Sequence, residues 1–324
     1  MNKKTIAFIC MTLLSAAFLA SRCLAEPEWV APKRLYEIKD NPAIGFFQRI
    51  VSMTVSDKED ALYILAGPPD GIYIYRRDNG ASWKRFQLDE PLESGDRVCS
   101  CSGHVWFVHK KQLFEIAENG KPAEPKTAPA PLPDSIADAI CDPAGRLLLV
   151  NGARTEFRRY DAKGVQDLRI GPPETEGDQT PGAAKASMPP FNLITDIAID
   201  IFNRIYILDS RARTVFPFEQ NGKQLKPVSD DRFSDIKFPN TSHSIAVDYD
   251  RNIWVVNPQQ NSLDAYSLFG TLVKRIGNNS ENIDNGDLGF PFITPAQIII
   301  DADYKLYIID SAAADVKVFE IKPQ

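Results

Sequence analysis

One pattern recurs along this chain and restricts what it can fold into. An apolar strand ends in Asp, a short polar turn follows, and a second apolar strand carries an aromatic residue six positions after that Asp. It is clearest in "ITDIAIDIFNRIYILDS", "SHSIAVDYDRNIWVVNP" and "PAQIIIDADYKLYIIDS", anchored by Asp200 with Tyr206, Asp248 with Trp254 and Asp301 with Tyr307. The same grammar recovers Asp57 with Tyr63 and Asp142 with Leu148, and a degenerate copy has Ser100 with Trp106. Six anchors thus recur at intervals of 42 to 58 residues, the period of a radial or stacked repeat.

Each unit continues into a third apolar strand, at Ile72–Tyr75, Leu113–Ile116, Phe157–Tyr160, Val215–Phe218, Leu263–Tyr266 and Val316–Phe319. Five then reach a glycine turn: Asn79-Gly80, Asn119-Gly120, Lys163-Gly164, Asn221-Gly222 and Phe269-Gly270. Such turns tolerate positive φ and favour tight hairpins, so a fourth strand follows, as in Thr271–Ile276. Four antiparallel strands per unit make a β-propeller blade, and six units predict an all-β, six-bladed propeller. The sixth unit stops before its outer strand, while an unmatched alternating piece, Arg34–Ile38, precedes the first. The expectation is that this piece pairs with Val316–Phe319, closing the ring and covering an edge.

The units resemble the NHL-repeat family of propellers: an apolar-Ala-apolar-Asp strand, a turn, an Ile-Tyr-Val-like strand, then a third strand and a Gly turn. The likeness is strongest in units four to six. It departs at the Gly that usually heads the first strand and at the Arg that often opens the third. The resemblance implies the fold. For activity it implies little, since such propellers serve as scaffolds, receptors, lyases and lactonases.

The N-terminus reads as an export signal. Lys3 and Lys4 precede an apolar run from Ile6 to Ala20, and Cys23-Leu24-Ala25 offers small residues before Glu26. The run is shorter than the roughly 20 residues that span a bilayer. The expected division is a signal over residues 1–25 and a single propeller domain over 26–324, periplasmic or secreted, with no transmembrane segment after cleavage. Asp and Glu (43) outnumber Lys and Arg (37), which argues against a nucleic-acid-binding surface.

Two segments break the rhythm. Gly120–Asp134 is Pro-rich and stands where blade two needs a fourth strand, and Gly171–Pro190 is an inserted polar loop.

Counting four residues back from each anchor gives Met53, Asp96, Asp138, Asp196, Ser244 and Gln297, expected at one mouth of the central channel. His243 reaches the same space, and the second strands end there at Ala66, His109, Asn151, Asp209, Asn257 and Asp310. Two readings stand. These polar groups face a hydrated channel and bond neighbouring backbone, or Asp96, Asp138 and Asp196 hold a hard cation such as Ca²⁺. The anchor aspartates themselves are expected to shape their turns.

Cys99, Cys101, His104 and His109 have zinc-site residue types. They lie on one hairpin turning at Ser102-Gly103, which sets Cys101 opposite His104 and His109 near Asp96, too far apart for one metal. Cys99 and Cys141 hold equivalent places relative to their anchors and invite a disulfide.

Against lactonase-type members the heads of the first strands are out of step, since Ala139 and Ile197 stand where those have Gly after the acid. The leading expectation is an exported, non-enzymatic binding or scaffold propeller without a cofactor, holding a protein or polymer partner on one loop-rich face. Its binding residues would be Asp96, Asp138, Asp196, His109, Asp209 and Asn257. The alternative is a Ca²⁺-dependent lactonase or esterase with those three aspartates as ligands and His243 as general base. Carbohydrate binding is a third possibility and requires exposed aromatics.

Overall fold

A computed structural model describes residues 28–29, 33–39, 46–56, 59–116, 122–123, 132–172, 184–187, 191–225, 243–277 and 292–321. The anchor Asp57, the turn Asn119-Gly120, the expected signal over residues 1–25, and most of the Pro-rich and inserted segments lie outside them. The described residues form six sheets and no helix. The innermost strands are Arg49–Ser56, Arg97–Cys101, Ile136–Cys141, Ile194–Ile199, Ile245–Val247 and Pro295–Ile300, one for each repeat. In every blade the second and third strands follow antiparallel.

The ring closes as expected. Lys33–Ile38 runs antiparallel to Asp315–Glu320, with Arg34 opposite Phe319, Tyr36 opposite Val318 and Ile38 opposite Val316. The strand before the first blade is therefore the outer strand of the last. Across the same seam Tyr36 donates to the Arg77 carbonyl at 2.6 Å, and the buried Arg77 guanidinium meets Asp303 at 2.7 Å and Asp301 at 3.3 Å.

Outer strands vary more than the inner three. The Pro-rich segment supplies blade two only with Pro122–Ala123, paired to Gln112–Ile116. Part of the insertion, Ala184–Ser187, becomes a fifth strand of blade three, parallel to Gln166–Gly171. Glu28–Trp29 adds a parallel edge to blade five beside Leu272–Gly277. Blade four has three strands and a single bridge from Phe218 to Gln224 among the described residues.

The core is divided in a way that follows from this geometry. Six apolar clusters are present, one at each interface between neighbouring blades. Met53 and Ile64 meet Tyr307 and Val316 at the closing seam, for example, and Phe157 and Leu168 meet Ile194 and Ile207 between blades three and four. Each sheet is thus apolar on both faces, and its strands read as nearly continuous hydrophobic runs such as Leu62–Ala66.

The anchor aspartates organise the turns between first and second strands. Asp200 Oδ1 accepts from the Phe202 and Arg204 amides, and its Oδ2 accepts from the Tyr206 hydroxyl at 3.1 Å. Asp301 accepts from the Tyr307 hydroxyl at 2.9 Å. The arginine before the second strand adds a bond in blades three and four, Arg146 Nε donating to Asp142 at 2.6 Å and Arg204 Nε to Asp200 at 2.8 Å, while Leu148 of blade three has no donor.

Candidate functional site

The inner strands enclose a cavity of about 520 Å³ along the axis. At the end where long segments enter each blade, one residue per blade stands at the same level. Each is set by its pairing to the second strand: Ser52 opposite Leu65, Arg97 opposite Val108, Asp138 opposite Val150, Asp196 opposite Leu208 and Gln297 opposite Ile309. Ser244 completes the ring, its carbonyl accepting from Val256.

Half of this ring is spent on joining blades. Asp196 Oδ2 accepts from the Ser244 hydroxyl at 2.7 Å and from the Ile245 amide at 2.9 Å, both in blade five. Ser244 Oγ accepts from the Ile298 amide of blade six at 3.1 Å. Gln297 then spans the closing seam, accepting from the Met53 amide at 2.9 Å and donating to its carbonyl at 3.2 Å. The expectation that channel polar groups bond neighbouring backbone describes these three positions. In blades one to three the ring stays open: Ser52 Oγ is buried without a hydrogen-bond partner, and the Arg97 Nε lies 3.8 Å from Asp138, beyond hydrogen-bond reach.

Two of the six predicted ring residues are misplaced by one position. Met53 gives way to Ser52, and Asp96 to Arg97. The cause is turn length. A count back from the anchor runs through the first turn, whereas pairing is fixed by the second strand. Blade two closes with a two-residue turn between Cys101 and His104, blade four with five residues between Ile199 and Ile205. The hairpin geometry around Ser102-Gly103 was the signal that places Arg97 opposite Val108.

Asp96 consequently leaves the ring. Its Oδ2 takes the Glu93 amide at 2.8 Å and contacts His109 Nδ1 at 2.9 Å. Asp96, Asp138 and Asp196 are therefore not brought together as three oxygen ligands. Among the described residues no group of three or more His, Cys, Asp and Glu side chains stands close enough to hold a metal. The two acids that remain share their space with the Arg97 guanidinium, a poor neighbour for a hard cation, so the residues present do not fit the calcium site.

The second-strand ends hold the incoming segments. Asp209 accepts from the Asn192 and Leu193 amides, and Asp310 accepts from those of Ile293 and Thr294, each at the equivalent place of its blade. Asn151 caps its own turn through the Thr155 amide, and Asn257 donates to Asp264 at 3.0 Å. His109 is buried between Asp96 and Glu90. These groups shape the loop-rich face from beneath it.

The mouth is electrostatically mixed. Burial raises the Asp138 carboxyl above its ordinary value against the opposing pull of Arg97 and Arg154. Enclosure by protein and then the charge of Asp138 push Asp196 up to about 7. His243 stands exposed at the rim, held below its usual value by the protein around it and by Arg97.

The cysteines pair differently from expectation. Cys101, not Cys99, is bonded to Cys141, with Cα atoms 5.2 Å apart, joining blades two and three beside their turns. Cys99 is a free, buried thiol in the core between these blades. Counted from the ring, Cys141 stands level with Ser100 and not with Cys99, and Cys101 beside the short Ser102-Gly103 turn is the cysteine within reach. Tyr249 is exposed, with its ring centroid 5.0 Å from that of Tyr304, on the opposite face from the ring.

No protein-family model matches the chain, and no curated protein matches it. Its fold is similar to that of solved six-bladed propellers. A luciferin-regenerating enzyme is 11% identical, with 90% of this chain and 96% of that one covered and a TM-score of 0.57. A streptogramin B lyase is 13% identical over 89% and 98% of the two chains, with a TM-score of 0.52. A catalytically inactive virginiamycin B lyase from Staphylococcus aureus, with quinupristin, is 16% identical over 84% and 95%, with a TM-score of 0.50. At these identities the likeness is one of fold, and it establishes the six-bladed β-propeller.

Proposed function

We propose that the protein is an exported, non-enzymatic binding propeller that holds a partner on the loop-rich face around the channel mouth. The observation that carries this reading is how the ring residues are used. Asp196, Ser244 and Gln297 are committed to bonds between blades, and Asp96 is committed to His109. No metal ligand set is assembled there among the described residues, and the described ends of the segments entering blades four and six, Asn192–Leu193 and Ile293–Thr294, are held on that face by Asp209 and Asp310. The Cys101–Cys141 bond supports export, since such bridges persist in oxidising compartments.

Photo-crosslinking in the native compartment tests it. A reactive side chain replaces Ile293, exposed on the loop-rich face, or Val165, equally exposed on the opposite face. The expected result is a defined adduct from position 293 and none from 165. An adduct from 165 alone, or lactone turnover by the purified protein that Asp138→Asn abolishes, contradicts the reading.

A further inference from the structure

The geometry points to a carboxylate-binding site at the channel mouth, formed by the Arg97 and Arg154 guanidinium groups around Asp138 with the Ser52 hydroxyl at the same ring level. Three observations converge on it. Among the described residues the hydrogen bonds of both arginines go to backbone carbonyls and none to a carboxylate: Arg97 Nη1 donates to Asp96 and Ser94, and Arg154 Nη1 donates to Ile194 at 3.0 Å. A guanidinium has five N–H donors, so each retains donors for a ligand. Arg154 is fixed in the turn after the second strand of blade three, where its backbone has φ of 59° and its carbonyl accepts from the Ile194 amide, and its guanidinium is close enough to Asp138 and Asp196 to feel both charges. Ser52 lines the cavity, is 1% exposed, and its Oγ has no partner.

The chemistry of the ligand follows from the charges. Two guanidinium groups lie near Asp138 and Asp196, and because Asp196, raised to about 7, carries only part of its charge at neutral pH, the surplus is below one positive charge. A monoanion matches it, while a phosphate dianion meets the two acids. A planar carboxylate also fits the fork of a guanidinium. Asp138 Oδ1 accepts from the Ala139 amide at 2.8 Å, and its Oδ2 has no hydrogen bond among the described residues. A hydroxyl or amide N–H next to the ligand's carboxylate fits that oxygen. The ligand class is thus a carboxylate with an adjacent hydrogen-bond donor, either a small hydroxy acid or the C-terminus of a peptide.

This inference rests on the proposed function only for the choice of face. An adduct from position 165 alone removes that reading and leaves the following experiment intact. Calorimetry with the intact protein compares lactate with lactamide, and the tripeptide Gly-Gly-Ala with its C-terminal amide. The carboxylate member of at least one pair is expected to bind at least tenfold more tightly than its neutral partner, and the discriminating pair identifies the source. Arg97→Gln and Arg154→Gln should each weaken that binding at least tenfold while leaving the melting temperature within a few degrees. Failure of both pairs to discriminate, or undiminished binding by both variants, overturns the proposal.

Discussion

The indole Nε1 of Trp254 donates to the carboxylate of Asp248 at 2.8 Å, across a turn and wholly inside the protein. The same carboxylate takes the Asn252 amide at 2.8 Å. The bond recurs between Tyr206 and Asp200 and between Tyr307 and Asp301, so the six-residue spacing of the repeat is the reach from an anchor to its aromatic donor.

Asp248→Ala is expected to cost about 1–3 kcal/mol, because Trp254 keeps a buried donor with no acceptor. Tyr206→Phe, which removes the donor and leaves Asp200 its other partners, should cost less, about 1 kcal/mol. Denaturant unfolding of the two variants measures both.

Ile38 is buried at the closing seam beside Val316. Ile38→Ala should lose about 2–5 kcal/mol. Removal of residues 1–39 strips the outer strand from blade six and exposes the edge of Asp315–Glu320, so aggregation on refolding is expected. A truncated chain that melts like the intact one contradicts the closure.

The Asp196 carboxyl is raised to about 7 in the folded protein, against about 4 in an unfolded chain. The folded state therefore binds this proton more tightly. The stability it contributes is complete below about pH 4 and is lost as pH rises through about 7. Asp196→Asn removes the titration. Melting from pH 4 to 8 should show the unsubstituted protein losing stability relative to the variant as pH rises, and parallel curves exclude the effect.

Calcium provides a separate check on the ring. With Asp96 turned to His109 and Arg97 in its place, millimolar Ca²⁺ or a chelator should shift the melting temperature by less than about one degree, since a ligand that does not bind the folded state cannot stabilise it. Stoichiometric binding lost in Asp138→Asn would restore the cation reading.

The blade count and the pairing of Arg34–Ile38 with the last blade were legible because both follow from residue patterning at the repeat period. Asp138, Asp196, Ser244 and Gln297 were legible for the same reason. Arg97 and Ser52 were not, because strand pairing registers each first strand against the second, and turns of different length shift that register by one residue. Arg154 does recur, as Arg213 in a second Ala-Arg-Thr triplet with the same positive φ, but that repeat marks a turn and not a channel group. Its guanidinium reaches across to the Ile194 carbonyl of blade four, near enough to feel Asp138 and Asp196, which residue patterning does not show.

The register of blade two decides whether Arg97 or Asp96 faces the channel, and a disulfide map reads it directly. The unreduced protein is alkylated after unfolding, digested, and fragmented between Cys99 and Cys101. Cys101 linked to Cys141 with the label on Cys99 is the predicted result. A Cys99–Cys141 link would move this strand along its neighbour and remove Arg97 from the side of Asp138, contradicting the site.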